Sequence, residues 1–173
     1  VIRHIDYLDE HLDKLSGLKY LHNHPGNLDI AEHELGNFLK DRFRSLQSYA
    51  TDKHIKLTVK TAFNYASAWF DKGKVTPIIE KFVMNAIDCS EPESNIILLI
   101  SICQEHWEIS VTDSENGKLT KLYNEHKRWM PKYKSEFECH FVKSILLKKL
   151  TNLCSGKILV NNSSHAITLR FPV

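Results

Sequence analysis

The sequence predicts an α+β domain, a two-layer sandwich with helices on one face of a mixed sheet, preceded by a separate amphipathic helix. Three observations carry this expectation. Apolar residues recur at three- and four-residue steps in some stretches and at alternate positions in others, so helical and strand periods both occur. Read in order, the stretches run helix, then β-α-β-β-α-β-β-α-β-β. The 173 residues, 42% hydrophobic and 25% charged, are enough to bury a core and too apolar to stay disordered.

Residues 1–20 place Ile2, Ile5, Leu8, Leu12, Leu15 and Leu18 on one stripe, with His4, Asp6, Asp9, Glu10, Asp13 and Lys14 on the other faces. Such a helix wants a partner, either the domain body or a second copy of itself. His24-Pro25-Gly26 breaks it. Residues 27–30 read as a short strand. Residues 31–52 return to helical spacing through Leu35, Phe38, Leu39, Phe43, Leu46 and Ala50. Residues 54–60 alternate polar and apolar, as a half-buried strand does, and residues 66–70 offer a second short strand.

Asp71 is the expected N-cap of the next helix, whose buried face is Val75, Ile78, Ile79, Phe82, Val83, Ala86 and Ile87. Pro77 suits a first turn, so the regular part is expected to begin near Thr76. Residues 95–103 and 107–112 are two strands about a turn at 104–106. Residues 114–138 are polar with scattered aromatics (Tyr123, Trp129, Tyr133, Phe137) and read as a long loop. A helix follows at 141–153, with Ser155-Gly156 as its stop signal. Residues 157–160 and 165–171 close the domain around a turn at 161–164.

Composition narrows the function classes. Lys and Arg number 23 against 21 Asp and Glu, a net charge of +2, which argues against a nucleic-acid surface driven by bulk charge. The run Ile96-Ile97-Leu98-Leu99-Ile100 falls far short of the roughly 20 residues that span a bilayer. Val1 opens the chain without a Met or a leader pattern, which reads as a piece of a longer protein. The four cysteines (Cys89, Cys103, Cys139, Cys154) form no CxxC pair and are expected to be reduced, buried thiols. His22-x-His24 has no cysteine or carboxylate cluster to complete a metal site, so exposed histidines are expected. The six glycines are about half the usual share of roughly 7%.

Trp69-Phe70-Asp71, followed fourteen residues after the aspartate by Asn85-Ala86, resembles the N-box region of histidine-kinase catalytic domains. Ile109-Ser110-Val111-Thr112-Asp113-Ser114-Glu115-Asn116-Gly117 sits where that family has a strand ending in an Asp-x-Gly-x-Gly box. Residues 142–153, Gly156-Lys157-Ile158-Leu159-Val160 and Ile167-Thr168-Leu169-Arg170-Phe171-Pro172 resemble its last helix and closing hairpin. The resemblance covers nearly the whole chain, with residues 1–22 similar to the second helix of a dimerisation hairpin and residues 23–173 to the ATPase domain. In style it is similar to the hybrid two-component systems of Bacteroides-like bacteria.

The resemblance implies a histidine-kinase-like ATPase fold of GHKL type, with ATP and Mg²⁺ as cofactors. It implies a homodimer through the N-terminal helix, with the phosphoacceptor histidine and a receiver domain outside this chain and no direct contact with nucleic acid. It also implies a cytoplasmic domain of a membrane-anchored bacterial sensor. Asn85 matches the Mg²⁺ position, Asp113 the adenine-binding carboxylate, and Gly117 the remaining glycine of the first box. Lys81 stands where the family usually has a second asparagine; it can meet a phosphate as a point charge but repels Mg²⁺.

Further departures concern the phosphates. Asp88 reverses a usually basic position, Glu115 replaces a glycine, and residues 135–143, where the second glycine box is expected, contain none. Glycines in such boxes let backbone N–H groups approach phosphate without a Cβ. Glu136 and Glu138 stand there instead, and like charges about 4 Å apart repel by roughly 4 kcal/mol at an effective dielectric of 20. The implied function is transfer of the ATP γ-phosphate to a histidine outside the chain. The alternative is a degenerate pseudokinase module, with weak or no ATP binding, acting in dimerisation or signal relay.

Overall fold

The computed structural model describes residues 28–113, 147–148 and 151–173. Among them the order is β1 (Ala31–Glu34), α1 (Leu35–Asp52), β2 (Lys56–Thr61), β3 (Ser67–Phe70), α2 (Lys72–Asp88), β4 (Asn95–Ile102), β5 (His106–Asp113), β6 (Lys157–Asn161) and β7 (Ala166–Pro172). Residues 147, 148 and 151–153 are also helical. The helix expected at 1–20, the loop at 114–138 and residues 141–146 of the last expected helix lie outside the described residues.

The predicted α+β sandwich is present. A five-stranded sheet runs β2-β4-β5-β7-β6, with β2 parallel to β4 and the other neighbours antiparallel. Alternation assigns its faces. Leu57, Ile96, Leu98, Ile100, Trp107, Ile109, Val111, Ile167, Leu169 and Phe171 are buried on one side, and the same apolar cluster includes the inward stripes of α1 and α2. The other side carries Leu99, 43% exposed, with the half-buried Ser101, Glu108 and Ser110, and is the more open face. An aromatic chain ties the layers: Phe38 meets Phe70 at 4.9 Å, Phe70 meets Trp107 at 5.1 Å, and Trp107 stacks on Phe171 at 5.0 Å.

Four local expectations are corrected. Residues 31–34 were expected to begin a helix, but they form β1, paired with β3 in a separate two-stranded sheet from Ala31↔Phe70 to Glu34↔Ser67. The helix starts later because the extended Glu34 turns its carboxylate onto the N–H groups of Gly36 and Asn37, at 2.8 and 2.6 Å. Residues 28–30 of the expected first strand are not strand.

Pro77 does not mark the start of α2, which is regular from Lys72. The Asp71 carbonyl accepts from Lys74 and Val75 N–H, and Asp71 Oδ1 accepts from Lys74 N–H at 3.0 Å. The proline therefore removes one backbone bond inside a helix that is already nucleated and capped.

Gly156 is not itself the left-handed stop residue. Ser155 takes the positive φ, 55°. Gly156 is required for room: a Cβ there would lie 2.8 Å from Phe171 Cδ1 and 2.9 Å from the Arg170 carbonyl.

Candidate functional site

Of the residues singled out from the sequence, Lys81 and Asn85, on the last turns of α2, and Asp113 lie toward one end of the sandwich. Hydrogen bonds of 2.7 Å from Glu93 N–H to the His54 carbonyl and 3.0 Å from Lys56 N–H to the Ser94 carbonyl bring together the ends of α1 and α2 and the starts of β2 and β4. The last residue of β5, Asp113, pairs with Ile96 near the start of β4 and so lies at this same end. It continues the core-facing series Trp107, Ile109, Val111, and its Oδ1 is shielded from solvent.

Asn85 sits within one turn of the end of α2 and is half-buried. Lys81, Asn85 and Asp88 follow at i, i+4 and i+7, so they share one helix face beside the stripe that enters the core. The cap and the buried stripe set which way that face points. Gly117, the fourth predicted residue, lies outside the described residues, as do Glu115, Glu136 and Glu138.

The structure gives Asp88 a role that spacing alone did not suggest. Its Oδ1 accepts from Lys53 Nζ at 2.5 Å and from Tyr49 Oη at 2.7 Å, clasping α2 to the end of α1. Lys53 Nζ also lies 5.0 Å from the Tyr49 ring centre. The expected charge reversal is thus a paired carboxylate. The hydrogen bond to Asp88 raises the Lys53 pKa, partial burial opposing it; burial, then the bond to Asp88, raises that of Tyr49. Tyr49 and Lys53 stand four residues apart, so their sharing a face was legible in the sequence. That the face meets Asp88, 35 residues beyond Lys53, was not.

The chemistry of this end is uneven. A carboxylate at 113 can accept from an exocyclic amine of a base, and an amide oxygen at 85 can meet a hard cation. Lys81 attracts phosphate and repels a metal ion. Among the described residues no group of three His, Cys, Asp or Glu side chains is placed to hold a metal. With the Lys81 cation one turn before Asn85, the residues present fit the base of a nucleotide better than its Mg²⁺.

A cleft of about 330 Å³ lies elsewhere, at the starts of α1 and α2, lined by His33, Glu34, Asn37, Phe38, Arg42 and Lys72. None of the predicted site residues lines it. The cysteines also divide: Cys89 and Cys154 are half-buried, but Cys103 is exposed, contrary to expectation, because alternation at the β4–β5 hairpin turns it to the more open side of the sheet.

No family model matches the chain. Histidine kinase P4 of Formosa agariphila is 24% identical over 123 residues, which is 69% of this chain and 9% of that protein. The chain therefore spans less than a tenth of that relative. Full-length ShkA, solved in complex with AMPPNP, superposes with a TM-score of 0.69 at 15% identity, covering 96% of this chain and 36% of that one. Histidine kinase ThkA, solved in complex with the response regulator protein TrrA, gives 0.64 at 16% identity, covering 98% and 50%. The chain has the fold of histidine-kinase catalytic domains, as the resemblance implied.

Proposed function

We propose that this chain is the nucleotide-binding part of a two-component sensor histidine kinase, with Asp113 on the adenine and Asn85 and Lys81 toward the phosphates. The observation that carries the proposal is that Asp113 and the end of α2 that bears Asn85 lie at the same end of a histidine-kinase fold. The nucleotide complex of ShkA supports the choice of ligand, and the ThkA–TrrA complex supports a response regulator as partner. In this reading residues 23–173 are the ATPase domain and residues 1–22 a dimerisation helix. The phosphoacceptor histidine lies outside the chain, and the parent is a membrane-anchored sensor with this part in the cytoplasm. Among the described residues no helix is long and apolar enough to cross a membrane.

Lys81, the glycine-free stretch at 135–143 and the unequal fit at the site favour a second reading, a pseudokinase that relays signals through dimerisation. Thermal melting separates the two. A micromolar site should add about 4 kcal/mol at a thousandfold excess of ATP or AMPPNP. Asp113→Asn should remove that gain. With Lys81 in place, Mg²⁺ should add little to the stabilisation. A melting curve unmoved by millimolar nucleotide, with or without Mg²⁺, would reject the first reading and leave the second.

A further inference from the structure

The β4–β5 hairpin carries a second chemical site, at the far end of the sheet from Asp113. Cys103 N–H donates across the turn to the His106 carbonyl at 2.8 Å, one step beyond the Ile102↔Trp107 pair, so both side chains leave the same side of the hairpin. Cys103 Sγ lies 3.0 Å from His106 Nδ1 and 3.4 Å from Nε2. The imidazole has a carboxylate behind it, with Nε2 3.6 Å from Glu108 Oε2. Glu108 is held in turn by Arg170 Nε at 3.0 Å and by the Ser101 hydroxyl at 3.4 Å. The thiol thus lies against the imidazole, and the imidazole beside a carboxylate, so a nucleophile and a potential base are neighbours on one face. The seven residue steps from His106 to Asp113 separate this site from the nucleotide end by roughly 24 Å at about 3.4 Å per residue.

We propose that Cys103 is a reactive thiol, served by His106 as proton acceptor and Glu108 as its support, that takes up low-molecular-weight disulfides as mixed disulfides. The sulfur attacks one sulfur of the incoming disulfide as its proton passes to His106. A new S–S bond forms to Cys103, the old one breaks, and the departing thiolate carries away the electron pair. The proton leaves His106 for that thiolate or for water, so no outside oxidant or reductant is needed. Exposure alone does not distinguish Cys103; the imidazole does. Cys154 is the contrasting case, its thiol pushed up to about 11, by burial first and then by Asp71. The proposal stands whether or not the other end of the domain binds nucleotide.

The test uses the whole chain and dithiobis(nitrobenzoate) as the disulfide. Nitrothiolate release is followed by absorbance, and the labelled cysteine is assigned by peptide mass spectrometry. Cys103 should label at least about tenfold faster than Cys89 or Cys154. His106→Asn should slow Cys103 about tenfold, below the usual 10²–10⁴ of general-base catalysis because water shares the proton transfer at an exposed thiol. Glu108→Gln should slow it severalfold. Rates at Cys89 and Cys154 report on folding in each variant. Cys103 labelling no faster than those two thiols, or at the wild-type rate in both variants, would overturn the proposal.

Discussion

Gly156→Ala is a substitution of one methyl group that should weaken the domain severely. The added Cβ would stand 2.8 Å from Phe171 Cδ1, 2.8 Å from Thr151 Cγ2 and 2.9 Å from the Arg170 carbonyl oxygen. Carbon pairs are comfortable at about 3.5–4.0 Å, so all three contacts are deep in the repulsive range. None of the neighbours yields easily. Phe171 is 1% exposed and stacked on Trp107, and Thr151 is fully buried with its hydroxyl donating to the Leu147 carbonyl at 2.7 Å. The Arg170 oxygen belongs to β7, which is paired on both sides.

Overpacking of this kind costs about 1–3 kcal/mol, and three fixed neighbours argue for the upper end. At about 2–4 °C per kcal/mol for a chain of this size, a loss of ~3 kcal/mol lowers the melting temperature by roughly 6–12 °C. Calorimetry on the purified chain measures it. Ser155→Gly is the control, since Ser155 carries the left-handed φ of 55° and glycine relieves a strain of about 1–2 kcal/mol. If Gly156→Ala melts like the wild type, or if Ser155→Gly destabilises as much, the close-approach argument is wrong.

Two further outcomes follow from single contacts. Asp71→Ala should cost about 1–2 kcal/mol in urea melts, because the Asp71 carboxylate caps α2 through Lys74 N–H and also accepts from Asp29 N–H at 3.1 Å; an unchanged midpoint would count against the cap. The Tyr49–Asp88–Lys53 clasp should weaken in alkali. Both Lys53 and Tyr49 have folded-state pKa values raised above their ordinary 10.5 and 10.0, so the folded state holds those protons more tightly. The stabilisation is complete below pH 10.0 and is lost as pH rises through the raised values. Asp88→Asn should flatten that alkaline decline in a pH series of denaturant melts, and an identical decline in both proteins would contradict the pairing.

Much of the fold is written in short-range pattern. The Asp71 cap, the inward stripe from Val75 to Ile87 and the alternation of β4 and β5 are properties of residues one to four apart, and the structure has them where the spacing put them. The candidate site residues came from the family resemblance, and short-range pattern adds only where they stand on their elements. Asp71 and Asn85 belong to one helix, and Asp113 ends a strand whose inward parity is visible from Trp107 onward.

The departures arise from partners far apart in the chain at Ala31–Glu34 and Asp88, and from short-range geometry at Pro77 and Cys103. Ala31–Glu34 suits a helix by composition and became a strand because Ser67–Phe70 supplies backbone partners. Pro77 is carried inside α2 because the turn before it is capped by Asp71. Asp88 read as a charge that would repel phosphate, and it is paired to Lys53 because α1 and α2 end side by side. Cys103 read as buried, and a two-stranded turn brought it to water and to His106. The sequence by itself determined the type and inward face of α2, β4 and β5 and the Asp71 cap, since these rest on side-chain period and local hydrogen bonding. Tertiary structure alone decided which charges are neutralised, which backbone edges pair and where a glycine has no room for a methyl group, because each of those depends on atoms that only the packed layers bring within reach.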